Sequence, residues 1–133
     1  MANVTLTDVR NVDITRAVES VFASAGGARA LLKSSRDVYI KVNAIDFKPN
    51  VFTDPALVAA VVRLFKDNGA RRVFVIENCT QGNFTRLVFD AIGMFDTCRR
   101  NGARAVCLDE TKSTPVKLPH IDSPAAISSF VHD

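Results

Sequence analysis

The chain is expected to fold as an α/β domain of three layers, helix–sheet–helix, around a mostly parallel, Rossmann-like sheet of four strands. Three observations predict it. Short apolar segments of strand length alternate with longer stretches of helical periodicity, the pattern of successive βα units. One segment, RVFVIE (72–77), is apolar on both faces, as a strand buried inside a parallel sheet would be. The segments Asn68-Gly69-Ala70-Arg71 and Asn101-Gly102-Ala103-Arg104 each place a helix stop and a short turn before an apolar strand.

Taken in order, VTLTDV (4–9) alternates apolar and polar residues and predicts a first strand. Ile14, Val18, Val21 and Phe22 then recur at helical spacing, and Gly26-Gly27 ends that helix, with one further turn or two in ARALLKS. Val38, Ile40 and Val42 alternate with Tyr39, Lys41 and Asn43 and predict a strand over 38–42. The next helix is marked at both ends. Asp54 is an N-cap followed by Pro55, whose missing N–H costs nothing at the first helical position. Leu57, Val58, Val61, Leu64 and Phe65 form its apolar stripe, and Asn68-Gly69 stops it. After the strand 72–77, helices are expected over 83–92, ending at Gly93, and over 94–101. A last strand is expected over 104–109. Beyond Glu110 the texture changes: three prolines interrupt an irregular stretch, with a short helix near 123–131. The division expected is an α/β domain over 1–110 and an extended arm over 111–133. That arm is expected to open a second half that continues past Asp133.

With 133 residues, 47% of them hydrophobic, the chain is long enough for one core. A net charge of +3 and basic residues scattered in sequence, apart from pairs such as Arg71-Arg72 and Arg99-Arg100, do not suggest a nucleic-acid binder. No apolar run reaches the roughly 20 residues that span a bilayer, and the start has no secretory pattern. Cys79, Cys98 and Cys107 are odd in number and widely spaced, which fits reduced thiols in a cytoplasm. No CxxC pair is present, so neither a zinc site nor a cysteine-ligated cluster is expected in this chain.

In an open parallel sheet, ligands bind beyond the carboxyl ends of the strands. Lys41 and Asn43 stand at one such end, and an ammonium beside an amide suits a carboxylate or phosphate. The alternative is that Lys41 pairs with Glu77 and merely closes the sheet end; both readings stay open here. The loop 44–53, with Asp46 and Lys48, is long for a βα connection and is expected to face a ligand. In ENCTQGNFTR, Thr80, Gly82, Asn83 and Thr85 precede or open a helix whose free N–H groups can hold an anion. A plain capped helix entrance explains the composition nearly as well. Glu77 and Asp109 close their strands and are of a type that binds metal or acts as a base, whereas Thr53 and Asp54 are explained by capping. Cys79 lacks a histidine near it in sequence and is not expected to be a nucleophile.

The stretches VYIKVNAIDF, FTDPALVAAVVRLFKDNGARRVFVIENCTQGN and TRLVFDAIGMFDTCRRNGARAVCLDE together resemble the bacterial and archaeal family called domain of unknown function 362. The likeness rests on an Ile-Lys-x-Asn strand, a Thr-Asp-Pro helix start, and a Gly-Ala turn before an apolar strand. Lys41, Asn43, Thr53, Asp54, Glu77, Gly82, Thr85 and Asp109 fall on positions of that pattern. The loop after residue 77 departs from it, reading Glu-Asn-Cys-Thr-Gln-Gly where an acid followed by small residues such as Ser-Pro-Gly is usual. The resemblance implies a ligand- or substrate-binding domain in a redox-linked prokaryotic protein. It also implies a ferredoxin-like module carrying four-iron clusters, and a Lys-x-His segment, in a part not present here. An alternative is a non-catalytic module that docks a ferredoxin-type partner. A sheet edge left unpaired would invite dimerisation.

Overall fold

The two Asn-Gly-Ala-Arg segments form the same turn, and that turn sets the direction of the sheet. In each, the glycine has positive φ, 98° at Gly69 and 72° at Gly102. The following amide, of Ala70 or Ala103, donates across 2.9 Å to Phe65 O or Cys98 O. The asparagine side chain donates across 2.8 Å to the carbonyl four residues earlier, Leu64 O or Thr97 O. This is the left-handed helix stop that glycine adopts without steric cost. Both turns deliver the chain into a parallel strand.

The computed structural model describes residues 4–32, 34, 36–79 and 84–132. Helices α1 (Ile14–Ser24) and α2 (Ala28–Leu31) precede strand β1 (Asp37–Lys41). Then follow α3 (Pro55–Asp67), β2 (Arg72–Glu77), α4 (Thr85–Ala91), α5 (Met94–Arg100) and β3 (Arg104–Cys107). The strands form a parallel sheet in the order β1-β2-β3, with Lys41 opposite Ile76 and Glu77 opposite Cys107. Asp54 caps α3, accepting from Ala56 N at 2.7 Å, as its sequence predicts. No helix among the described residues is long and apolar enough to cross a membrane.

The expected fourth strand, 4–9, does not form. Val4 and Leu6 are 83% and 90% exposed, and no neighbouring strand takes up this segment's backbone groups. Alternation supplies an apolar face, but a strand also needs a partner for its hydrogen bonds. The segment instead lies along α1, where Thr5 and Ser24 share a hydroxyl–hydroxyl bond of 2.7 Å.

The helical layers also differ from expectation. Val38 and Ile40 of β1, Val73 and Val75 of β2, and Ala105 and Cys107 of β3 share one core with residues of α1 through α5. Those five helices therefore contribute to one face of the sheet, not two. The second face carries Phe74, Ile76 and Val106, with Tyr39 stacked on Phe74 at 5.1 Å. It is covered by the chain's end. Residues 113–122, expected to be irregular, and 123–128, expected to lie in a short helix, instead contribute an antiparallel hairpin of β4 (Ser113–Val116) and β5 (Ala125–Ser128), whose cross-strand pairing a local reading does not reveal. The helical turn α6 (Ser129–His132) follows, and Phe130 meets Phe74 edge-on at 5.1 Å. Apolar residues on both faces of β2 did indicate burial on both faces. They do not specify that Phe130, on a single helical turn carried by a hairpin, supplies the second cover.

At the amino end of the sheet, Arg71 and Arg72 both grip the Asp37 carboxylate, Arg72 Nε at 3.0 Å and Arg71 Nη2 at 3.2 Å. The hydrogen bond from Arg72, then that from Arg71, holds the Asp37 carboxyl well below its ordinary value of 3.8. A depressed folded-state value means stability that is present above the ordinary value and lost as pH falls below it. Asp37→Asn should therefore lose less stability than the parent between about pH 7 and about pH 3, read from urea midpoints. Equal acid losses in the two proteins would remove the pair from the account.

Candidate functional site

Lys41 is the last residue of β1 and Glu77 the last of β2, so the register brings them to the same carboxyl rim. Glu77 is only 3% exposed. One of its oxygens takes the Lys41 ammonium, and the other accepts from Asn78 N at 3.0 Å. A buried carboxylate needs such partners, because an uncompensated one is costly. The ammonium also donates to Val42 O at 2.8 Å. The Lys41 side chain remains 57% exposed. The pairing with Glu77, one of the two arrangements open from sequence, is thus the one present, and it leaves the cation's outer side in solvent.

Asn43 and the loop after it are tied to one another. The Asn43 side chain donates to Val51 O at 3.0 Å, while its backbone N–H donates to Thr53 Oγ1 at 2.9 Å. Thr53 N returns a bond to Asn43 O at 2.7 Å, and Ala44 bridges Phe52 in antiparallel fashion. The long excursion expected from sequence is therefore closed at its neck by Asn43 and Thr53. Asp46 and Lys48 pair with each other at 3.5 Å within it. Asp54 is occupied in capping α3.

A second hydrogen-bonded run crosses the rim between β2 and β3. Asp109, in the single 3₁₀ turn that follows β3, accepts from Thr85 N at 3.1 Å. The fully buried Thr85 hydroxyl accepts from Cys79 N at 2.8 Å. Cys79 Sγ donates onward to Ile45 O at 3.0 Å. The structure thus brings together Lys41 with Glu77, and Thr85 with Asp109. Thr80, Gly82 and Asn83 lie outside the described residues.

Between these strand ends and the hairpin is a crevice of about 420 Å³. Its polar lining comes from Asn78, Asp109, Thr111, Ser113 and Ser128, its apolar lining chiefly from Leu108 and Ile127. Asn78 and Asp109 are the ends of the two hydrogen-bonded runs just described, so two walls are fixed by the sheet itself. Thr111 and Ser128 share a hydroxyl bond of 2.6 Å, which fixes the hairpin wall. Thr111 stands in the segment after the last sheet strand, where sequence reading expects ligands, but Ser113 and Ser128 were not found, because three prolines hide the alternation that would have marked the hairpin. Asn78 carried a signal, standing directly after a strand that ends in an acid.

The three thiols are free and buried, all within the main core. Burial pushes Cys98 up to about 11, and burial followed by the Glu110 charge pushes Cys107 up to about 11. Cys79 is 8% exposed and its Sγ already donates to Ile45 O. An alkylating reagent at about pH 8 should leave all three unmodified in the folded protein while labelling the urea-unfolded chain fully. Rapid labelling of the folded state would contradict this. Among the described residues, no three His, Cys, Asp or Glu side chains gather to hold a metal ion.

Comparison with known proteins adds one finding. A family model described as "Domain of unknown function (DUF362)" matches residues 38–133. No curated protein and no solved structure matches the chain.

Proposed function

The chain belongs to the DUF362 family, and on that premise we propose that it contributes to a domain binding a small polar ligand with an anionic group. The observation that carries this reading is the crevice at the carboxyl end of the parallel sheet, where such folds place their ligands. Asn78 and the hydroxyls of Ser113 and Ser128 suit hydroxyl or carbonyl groups. Asp109 accepts a hydrogen bond from a ligand hydroxyl, which orients the bound molecule. Lys41 does not line the crevice; held by Glu77 at the same carboxyl rim, with its side chain 57% exposed, it is the cation we assign to the ligand's anionic group.

On the same reading the domain works in a cytosolic, redox-linked prokaryotic protein in which a separate module carries the four-iron cluster. The residues present do not fit such a cluster, since the chain has three cysteines where a four-iron cluster takes four, and no metal-ligating group forms among the described residues. A second reading, an interaction module for a ferredoxin-type partner or a second copy, has one observation in its favour. Tyr39 is 48% exposed on the lightly covered face of the sheet, on the edge strand β1.

Thermal melting against phosphate, malate and citrate separates these readings. Ligand binding predicts that at least one of them raises Tm in the parent but not in Lys41→Met. An unchanged Tm with every anion, or equal responses in the two proteins, would overturn it.

A further inference from the structure

The basic residues that look scattered in sequence are gathered by the topology. In a parallel sheet every helix-to-strand turn lies at the amino end. The twin Asn-Gly-Ala-Arg turns bring Arg71 and Arg104 there, and with Arg72 they line one surface hollow of about 350 Å³. Arg29 and Arg36 line a neighbouring hollow of about 510 Å³ with Asp67 and Gly69. Their linings are tied together where Arg71 N donates to Arg36 O at 2.8 Å. Lys66 reaches across from α3, its Nζ 3.4 Å from Arg71 O, and its stem lies beside Gly102. Arg99 and Arg100 end α5 on the same rim.

Of these eight cations, the seven arginines are exposed and Lys66 is half-buried. They face three carboxylates, Asp37, Asp67 and Asp96, so the rim carries an excess of five positive charges. The whole chain carries +3, so the remainder is net negative by two. Lysine and arginine near a helix end offset its dipole, which accounts for Lys66, Arg99 and Arg100. It does not account for Arg36, Arg71, Arg72 and Arg104, which lie in turns or begin strands.

We propose that this amino-terminal rim is a docking surface for a partner protein that presents an acidic segment. Arginine forks match carboxylates in bidentate fashion, and a one-sided cationic field speeds encounter with an acidic surface. Asp37, Asp67 and Asp96 are interleaved with the arginines and would repel a continuous phosphate track, whereas they can register with the mixed charges of a protein surface. The modest net charge also argues against nucleic acid. The rim is at the opposite end of the sheet from the proposed ligand crevice and does not depend on what that crevice binds.

Fluorescence anisotropy with labelled poly-L-glutamate, labelled oligothymidylate and phosphatidylserine vesicles tests this. The parent should bind polyglutamate best, with an affinity that falls as salt rises. Arg71→Gln/Arg104→Gln should weaken that binding by about tenfold, while Lys112→Gln/Lys117→Gln, of equal charge change on the hairpin, should change it by less than about twofold. Should the first pair melt early, because Arg71 also holds Asp37, Arg29→Gln/Arg104→Gln repeats the test with two arginines that form no ion pair among the described residues. Equal losses in the rim and hairpin variants, tighter binding of the oligonucleotide or the vesicles, or no binding of polyglutamate would each overturn the proposal.

Discussion

Phe89→Ala should cost the domain roughly 3–5 kcal/mol, the largest effect expected of any single truncation here. Phe89 is fully buried on α4 and meets Phe95 edge-on at 5.6 Å, in a core that also includes Val88, Met94 and Cys98. Helices α4 and α5 have seven residues each, well short of the roughly 12–15 at which an isolated helix is even marginal in water. Their order depends on that packing, and deleting the ring leaves a cavity beside the crossover from β2 to β3. Phe89→Leu, which keeps most of the volume, should cost only about 1–1.5 kcal/mol. Urea midpoints with unchanged slope are the readout. A loss below about 1 kcal/mol for the alanine variant would mean that this core is not what orders the two helices.

Lys41→Met should cost about 2–4 kcal/mol, and Glu77→Gln only about 1–2 kcal/mol. The asymmetry follows from burial. Glu77 is 3% exposed, so removing the lysine leaves its carboxylate with Asn78 N as its remaining hydrogen-bond donor. The Lys41 side chain is 57% exposed and can turn into water when its partner is neutral. For the same reason the cost of Lys41→Met falls below the 3–5 kcal/mol typical of a fully buried pair. The double variant Lys41→Met/Glu77→Leu should recover part of the loss, since an apolar pair removes the stranded charge. Small and equal effects from both single variants would mean that water, not Lys41, satisfies Glu77.

What was legible in the sequence follows a physical divide. The signals at helix caps and turns were read correctly, whereas the short helix expected near 123–131 is strand β5 over its first half. Asp54-Pro55 and Asn68-Gly69 bracket α3, and both Asn-Gly turns lead into strands, because caps and turns are decided by the residues that form them. Contacts between distant segments were less legible. VTLTDV has the alternation of a strand, but nothing in those residues reveals that no edge receives them. RVFVIE reports burial on both faces without revealing that the second cover is Phe130 at the end of a hairpin. The same divide runs through the site. Lys41 and Glu77 were singled out and their pairing was one of two arrangements left open, but only β1 lying beside β2 decides for it. Asn43, read as a ligand position from its strand end, and Thr53, from the family pattern, turn out to bind one another across the neck of a loop. The cationic rim is the clearest case. Arginines in separate turns look dispersed along the chain until parallel topology sets all those turns at one end.

Amide chemical-shift mapping with phosphate and malate addresses the central claim, an anion-accepting crevice at the carboxyl end of the sheet, most directly. The account predicts saturable shifts at Lys41, Val42, Asn78, Asp109, Thr111 and Ser128, lost in Lys41→Met. Shifts confined to Arg36, Arg71 and Arg104 at the opposite rim, or none at all, would contradict it.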